Sequence, residues 1–128
     1  MSYTLDRLLP DTDMAEAEKR ARAALEENGF GVLTEIDVTA TMKKKLGKDM
    51  PGYKILGACN PTMACEAIGL EPRLGAMLPC NVILREVDGG VEVSAIDPVV
   101  SMMAIENTEL PKVAAMVRDM LQKTVDEI

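Results

Sequence analysis

Two long amphipathic segments bracket this chain, and the residues between them are cut into short stretches by turn residues. After Asp13, the residues Met14, Ala17, Ala21, Ala24 and Leu25 recur close to the helical period, while Glu16, Lys19, Arg20, Arg22 and Glu26 fall on the opposite side. Asp13 and Glu16 have the spacing of a capping box, and Asn28-Gly29 ends the segment. From about Thr108 to Ile128 a second stripe runs through Leu110, Val113, Val117, Met120, Leu121, Thr124 and Ile128. A helix that is apolar on one side only has to bury that side. Two such helices are most simply accommodated on one face of a sheet, which predicts a two-layer α+β domain.

The stretches between them supply the sheet. Residues 2–9 read as a first strand, and Phe30, Val32, Thr34, Ile36 and Val38 alternate with Gly31, Leu33, Glu35 and Asp37 as a second with one buried face. Thr39 is the expected cap of a short basic helix, Ala40 to Leu46, which Gly47 closes before the Pro51-Gly52 turn. Tyr53 to Cys59 reads as a third strand. Asn60-Pro61 then opens a helix to about Gly69, with the amide as N-cap and proline at the first helical position. Glu71 to Met77 reads as a short turn of helix. Cys80 to Val87 and Val91 to Ile96 flank Asp88-Gly89-Gly90, whose glycines supply the positive φ of a tight hairpin. Asp97-Pro98 repeats the cap-plus-proline pattern and begins a helical turn through Met103. The expected order is β-α-β-β-β-β-α with short inserted helices, about five strands and a mainly antiparallel sheet. Its second face or an edge needs cover from the short helices or from a second subunit.

At 128 residues, with no linker-like block or internal repeat, the chain is expected to form one domain, 1–128. Apolar residues make up 48% of it, but one Phe, two Tyr and no Trp leave the core to aliphatics, Ala and ten Met. A net charge of −7 with no basic stripe argues against nucleic acid and against anionic lipid surfaces as partners. The first residues lack a basic region followed by an apolar run, and no apolar stretch reaches the ~20 residues that span a bilayer, so a cytoplasmic location is expected. Three cysteines cannot all pair within one chain, which fits free thiols in a reducing compartment. The absence of histidine removes imidazole-based triads and the commonest metal ligand; any proton transfer falls to a carboxylate, Lys, Tyr or Cys.

Two cysteine-asparagine pairs, Cys59-Asn60 before Pro61 and Cys80-Asn81 after Pro79, sit where predicted strands meet turns or helices. By strand parity Cys59 lies with Tyr53 and Ile55, and Cys80 with Val82 and Leu84, so both thiols are expected toward apolar neighbours. The plainer reading makes them small buried hydrophobes and the asparagines cap and turn residues. The sharper reading notes that Cys59 precedes a helix N-terminus, whose free N–H groups and dipole favour a thiolate and make it the candidate nucleophile. Cys59, Asn60, Pro61, Pro79, Cys80, Asn81, Asp97 and Pro98 would line one small-ligand site if the strand ends converge. Redox use lacks a suitably spaced partner, since Cys59 and Cys65 are not a two-residue-gap pair. A soft-metal reading recruiting the thiols with Met63, Met77, Met102 or Met103 suits Cu(I), but methionines in a core nearly free of aromatics are more simply gap fillers, and no metal is assigned. Lys43-Lys44-Lys45 reads as a solvated helix face and Glu71-Pro72 as turn geometry.

Four blocks in order, 31–38 (GVLTEIDV), 55–61 (ILGACNP), 78–82 (LPCNV) and 94–98 (SAIDP), closely resemble the family catalogued as domain of unknown function 302. The resemblance covers nearly the whole chain and implies a TATA-binding-protein-like arrangement of sheet and helices, with homodimers. It marks Cys59, Asn60, Pro61, Pro79, Cys80, Asn81, Asp97 and Pro98 as family-motif residues and implies neither activity nor cofactor. Cys65 lies outside these blocks. The expectation is therefore a cytoplasmic, homodimeric small-ligand-binding or sensing domain of unknown cofactor. The alternatives are a thiol-dependent enzyme or redox protein using Cys59, and a structural or interaction module with inert cysteines.

Overall fold

The computed structural model describes residues 2–128. Five strands, β1 (Thr4–Pro10), β2 (Gly31–Asp37), β3 (Tyr53–Cys59), β4 (Cys80–Val87) and β5 (Gly90–Ile96), form one antiparallel sheet in the order β1-β5-β4-β3-β2. The helices are α1 (Met14–Glu27), α2 (Val38–Leu46), α3 (Pro61–Leu70), α4 (Pro98–Ser101) and α5 (Leu110–Glu127), with a 3-10 helix over Pro72–Met77.

One sheet face and two helices make the main core. Leu5 and Leu9, Leu56 and Ala58, Val82 and Leu84, and Val91, Val93 and Ala95 point to the same side, as their cross-strand register requires. Against them lie Ala17, Ala21, Ala24 and Leu25 of α1 and Leu121 and Val125 of α5. The alanines at positions 17, 21 and 24 leave no bulk between the α1 backbone and its neighbours, so this stripe is fully packed without aromatics. Asp13 accepts from the Glu16 N–H at 2.8 Å and starts α1 as its spacing predicts. Arg7 reaches across from β1 to donate to the Val125 and Asp126 carbonyls, where a cation complements the C-terminal end of α5. A second, smaller cluster of Met63, Ala67, Leu74, Leu110 and Val113 joins α3, the 3-10 helix and the start of α5. Val117 and Met120 of α5 touch both clusters.

The hairpin closes as its glycines demand. Gly89 has φ of +87°, and a Cβ on Gly90 would run into the Leu9 carbonyl, so β1 can approach β5 only beside glycine.

The second strand departs from expectation. Val32 pairs with Ala58, but Thr34 pairs with Gly57, so Leu33 is an extra, bulged residue and is 68% exposed. The bulge puts Val32 on the helix-facing side and Thr34 and Ile36 on the other, breaking the predicted common face. A strand that pairs on one edge only, at the rim of the sheet, is also left largely exposed along its length. The cap of α2 moves too: Asp37 accepts from the Ala40 N–H at 2.9 Å, and Val38 is already helical. Thr39, the expected cap, instead bridges the loop ahead of β3, donating to the Pro51 carbonyl and accepting from the Tyr53 N–H.

The other sheet face is not covered by the long helices. Ile36, Ile55 and Ile83 lie directly opposite one another on β2, β3 and β4, and form an isoleucine row across it. Tyr53, Arg85, Glu92 and Leu8 make the next row, with Arg85 and Glu92 in contact at 2.6 Å and Leu8 half exposed. Among the described residues no helix is long and apolar enough to cross a membrane.

Candidate functional site

The chain's three predicted site segments meet at one end of the sheet. Register places Ala58 opposite Cys80, so Cys59 lies one residue further on, where β3 gives way to α3. Asn60 caps α3 by accepting from the Met63 N–H at 3.0 Å, and Pro61 occupies the first helical turn. Asp97 accepts from the Val99 N–H at 3.0 Å and so starts α4 at the end of β5. The same local device, a side-chain acceptor followed by proline, therefore turns two strands into helices above the sheet end.

Between these turns and α5 lies an apolar cavity of about 30 Å³. Cys59, Asn60, Cys80 and Pro98 line it, as do Met63 and Met102. Its walls come from both core clusters, with Ala58 and Phe30 on the sheet side and Leu74 and Val113 on the other. No buried side-chain nitrogen or oxygen among the described residues is left without a hydrogen-bond partner, so nothing polar is held in waiting. Cys80 is buried on the helix-facing side. Burial pushes its thiol up to about 11, and repulsion from the nearby Cys59 adds to the shift. Cys59 is half buried, and its strand parity puts it with Tyr53, Ile55 and Gly57 on the opposite sheet face. By parity the two thiols leave their strands on different sides, Cys59 with Tyr53 and Ile55 and Cys80 with Val82 and Leu84, each beside the apolar neighbours expected for it.

The remaining predicted site residues stand apart from the cavity. Pro79, which follows a cis Leu78–Pro79 peptide, packs over Gly57, where a Cβ would collide with both Pro79 and Thr34. Asn81 pairs with Gly57 and is exposed on the uncovered face. Pro61 is exposed at the start of α3. Asp97 is buried, but its second carboxylate oxygen accepts from Arg118 at 3.0 Å, which uses up the charge that was expected to face a ligand. Missed by sequence reasoning were Met63 and Met102 as cavity walls and Arg118 as the partner of Asp97. Met63 was legible as part of an apolar helix stripe, but nothing local indicated what that stripe would face.

A larger cleft, about 550 Å³, lies at the opposite end of β3, lined by Met14, Asp37, Lys43, Asp49, Tyr53 and their neighbours. Several of its charges are paired. Lys54 contacts Glu18 and Glu35 at 2.7 Å each, and Lys43 contacts Asp49 at 2.9 Å. The Lys54 contact holds the Glu18 carboxyl below its usual range, and Glu18 in turn raises Lys54. These pairs tie up Lys54, Glu18 and Lys43, while Lys48 lines the cleft outside them. Among the described residues no group of three or more His, Cys, Asp or Glu is placed to hold a metal ion.

The whole arrangement is shared with a solved structure. The crystal structure of an uncharacterized conserved protein DUF302 from Bacillus stearothermophilus is similar with a TM-score of 0.92 and 25% sequence identity, over 99% of this chain and 98% of that one. No curated protein matches the sequence. The sequence model of the domain of unknown function DUF302 matches residues 7–128, nearly the whole chain, and with the fold shared as well, the chain belongs to the DUF302 family.

Proposed function

We propose that the protein binds a small ligand in the cavity at the sheet end, against Cys59, Asn60, Cys80 and Pro98. The observation that carries this reading is convergence: three segments separated by some twenty residues each contribute a wall to one cavity. An apolar interior with a few polar groups at its rim is the ordinary composition of a small-molecule site. The free thiols fit a reducing, cytoplasmic setting. The isoleucine row on the uncovered face supports a homodimer in which two sheets meet, since a row of this kind is costly to leave in water.

Native mass spectrometry of gently purified protein tests the reading. A retained small molecule, released on denaturation, is expected; a clean apo mass from several independent preparations would count against binding. A second reading, thiol chemistry at Cys59, is favoured by one observation: Cys59 is half buried at the cavity and immediately precedes the cap of α3. A covalent adduct mapped to Cys59 supports this alternative, and a ligand that leaves all three thiols free supports non-covalent binding.

A further inference from the structure

The sheet-end cavity is too small for most organic ligands. Its 30 Å³ holds roughly two water-sized probes, whereas organic ligands occupy pockets of about 300 Å³ or more. The missing room lies next to it. A cleft of about 220 Å³ runs between α4 and the start of α5, lined by Val99, Met102, Met103, Ile105, Leu110, Pro111 and Ala114. Met102 and Ala114 line both spaces, so one flexible thioether and one methyl group form the partition between them. Val99 and Met103 are exposed and mark the mouth, while Leu110 and Ala114 are buried and mark the inner end.

Resting on the ligand-binding reading above, we infer that Met102 swings aside to join cleft and cavity into one channel, and that this channel takes an unbranched aliphatic chain whose tip reaches the Cys80 thiol. Methionine suits the role because it is unbranched, with three rotatable bonds, and repacks with little strain. The chemistry of the walls selects the ligand. Every side chain of the cleft is aliphatic, a thioether or proline, so an inserted chain is held by burial rather than by hydrogen bonds. With no unsatisfied buried polar group waiting, a polar tip would lose its hydration with nothing to replace it. An inner space of about 30 Å³ has room for the tip of a slender chain and not for a ring.

The methionines provide a ruler for the test. In protein carrying isotope-labelled methionine methyl groups, straight-chain alcohols from butanol to decanol are titrated and the methyl signals followed. Short alcohols are expected to shift Met103 and Met102 at the outer cleft, and longer ones to shift Met63 in the inner cavity as well. Within the length the channel admits, affinity should rise about fourfold per added methylene. Val99→Trp, at the exposed mouth, is expected to block all of these shifts while leaving the Met116 signal on the outer side of α5 in place. Ala114→Phe should leave the Met103 shift and abolish that of Met63; if it fails to fold, Val99→Trp still decides the question. Shifts that never reach Met63 at any chain length, or that persist in Val99→Trp, overturn the channel. A molecule retained in native mass spectrometry alongside such a result would leave the ligand-binding reading standing without it.

Discussion

Alkylation of Cys80 gives a quantitative check on the cavity. Burial, with a contribution from Cys59, raises this thiol from 9.0 to about 11. Two units of pKa correspond to roughly a hundredfold smaller thiolate fraction at about pH 8, and the thiolate is the species that reacts. The side chain is also only 7% exposed, whereas Cys65 on α3 is open to solvent. Native protein treated with iodoacetamide, quenched, digested and read peptide by peptide should therefore label at Cys65 first and at Cys80 at least a hundredfold more slowly. The same shift has a stability consequence with a definite sign. The folded state holds the Cys80 proton more tightly than the unfolded state, so this contribution is complete below about pH 9 and is lost as the pH rises to about 11. The loss amounts to about 3 kcal/mol at most, and Cys80→Ala should remove it, seen as a flatter dependence of urea midpoint on pH over that window. Native Cys80 labelling within about tenfold of Cys65 would refute the burial argument.

Three further perturbations test the surroundings of the site. Gly57→Ala is expected to cost about 1–3 kcal/mol in urea unfolding, because the new methyl meets the rigid Pro79 ring as well as Thr34. Asp97→Ala removes both the start of α4 and the contact to Arg118 and should lower stability by about 1–2 kcal/mol, while Asp97→Asn keeps the cap and should lose less; thermal unfolding ranks the two. Ile36→Asp places a charge in the half-exposed end of the isoleucine row and should convert the proposed homodimer to monomer by light scattering, with circular dichroism unchanged; a wild-type protein that is already monomeric would overturn the pairing of sheets.

Local chemistry made much of the fold readable in advance. Asp13, Asn60 and Asp97 each cap a helix as their side chains and spacing predict, and Gly89-Gly90 turns the hairpin. The amphipathic stripes of α1 and α5 pointed to one covered sheet face because each has a single apolar side. What escaped was decided by pairing rather than by composition. The Leu33 bulge changes the face of Thr34 and Ile36, and no turn residue announces it. Thr39 looked like a cap because threonine often is one, yet Asp37 two residues earlier takes the role and frees Thr39 to hold the loop at Pro51. The same limit applied at the site. Convergence of Cys59, Asn60, Cys80 and Pro98 followed from strand ends meeting helix starts, whereas Asn81, one residue past Cys80, pairs with Gly57 on the uncovered face and Pro79 packs over that glycine. Asp97 was recognised as a cap, whereas its pairing with Arg118 came from a helix twenty-one residues away in sequence.

A crystal structure under xenon pressure would show whether the sheet-end cavity is an open apolar space. Dry, apolar cavities accept xenon, whereas polar ones fill with ordered water. A xenon atom enclosed by Cys59, Met63, Cys80, Pro98 and Met102 is expected. Hydrogen-bonded water in that position, or xenon bound elsewhere with the sheet end closed, would contradict that expectation.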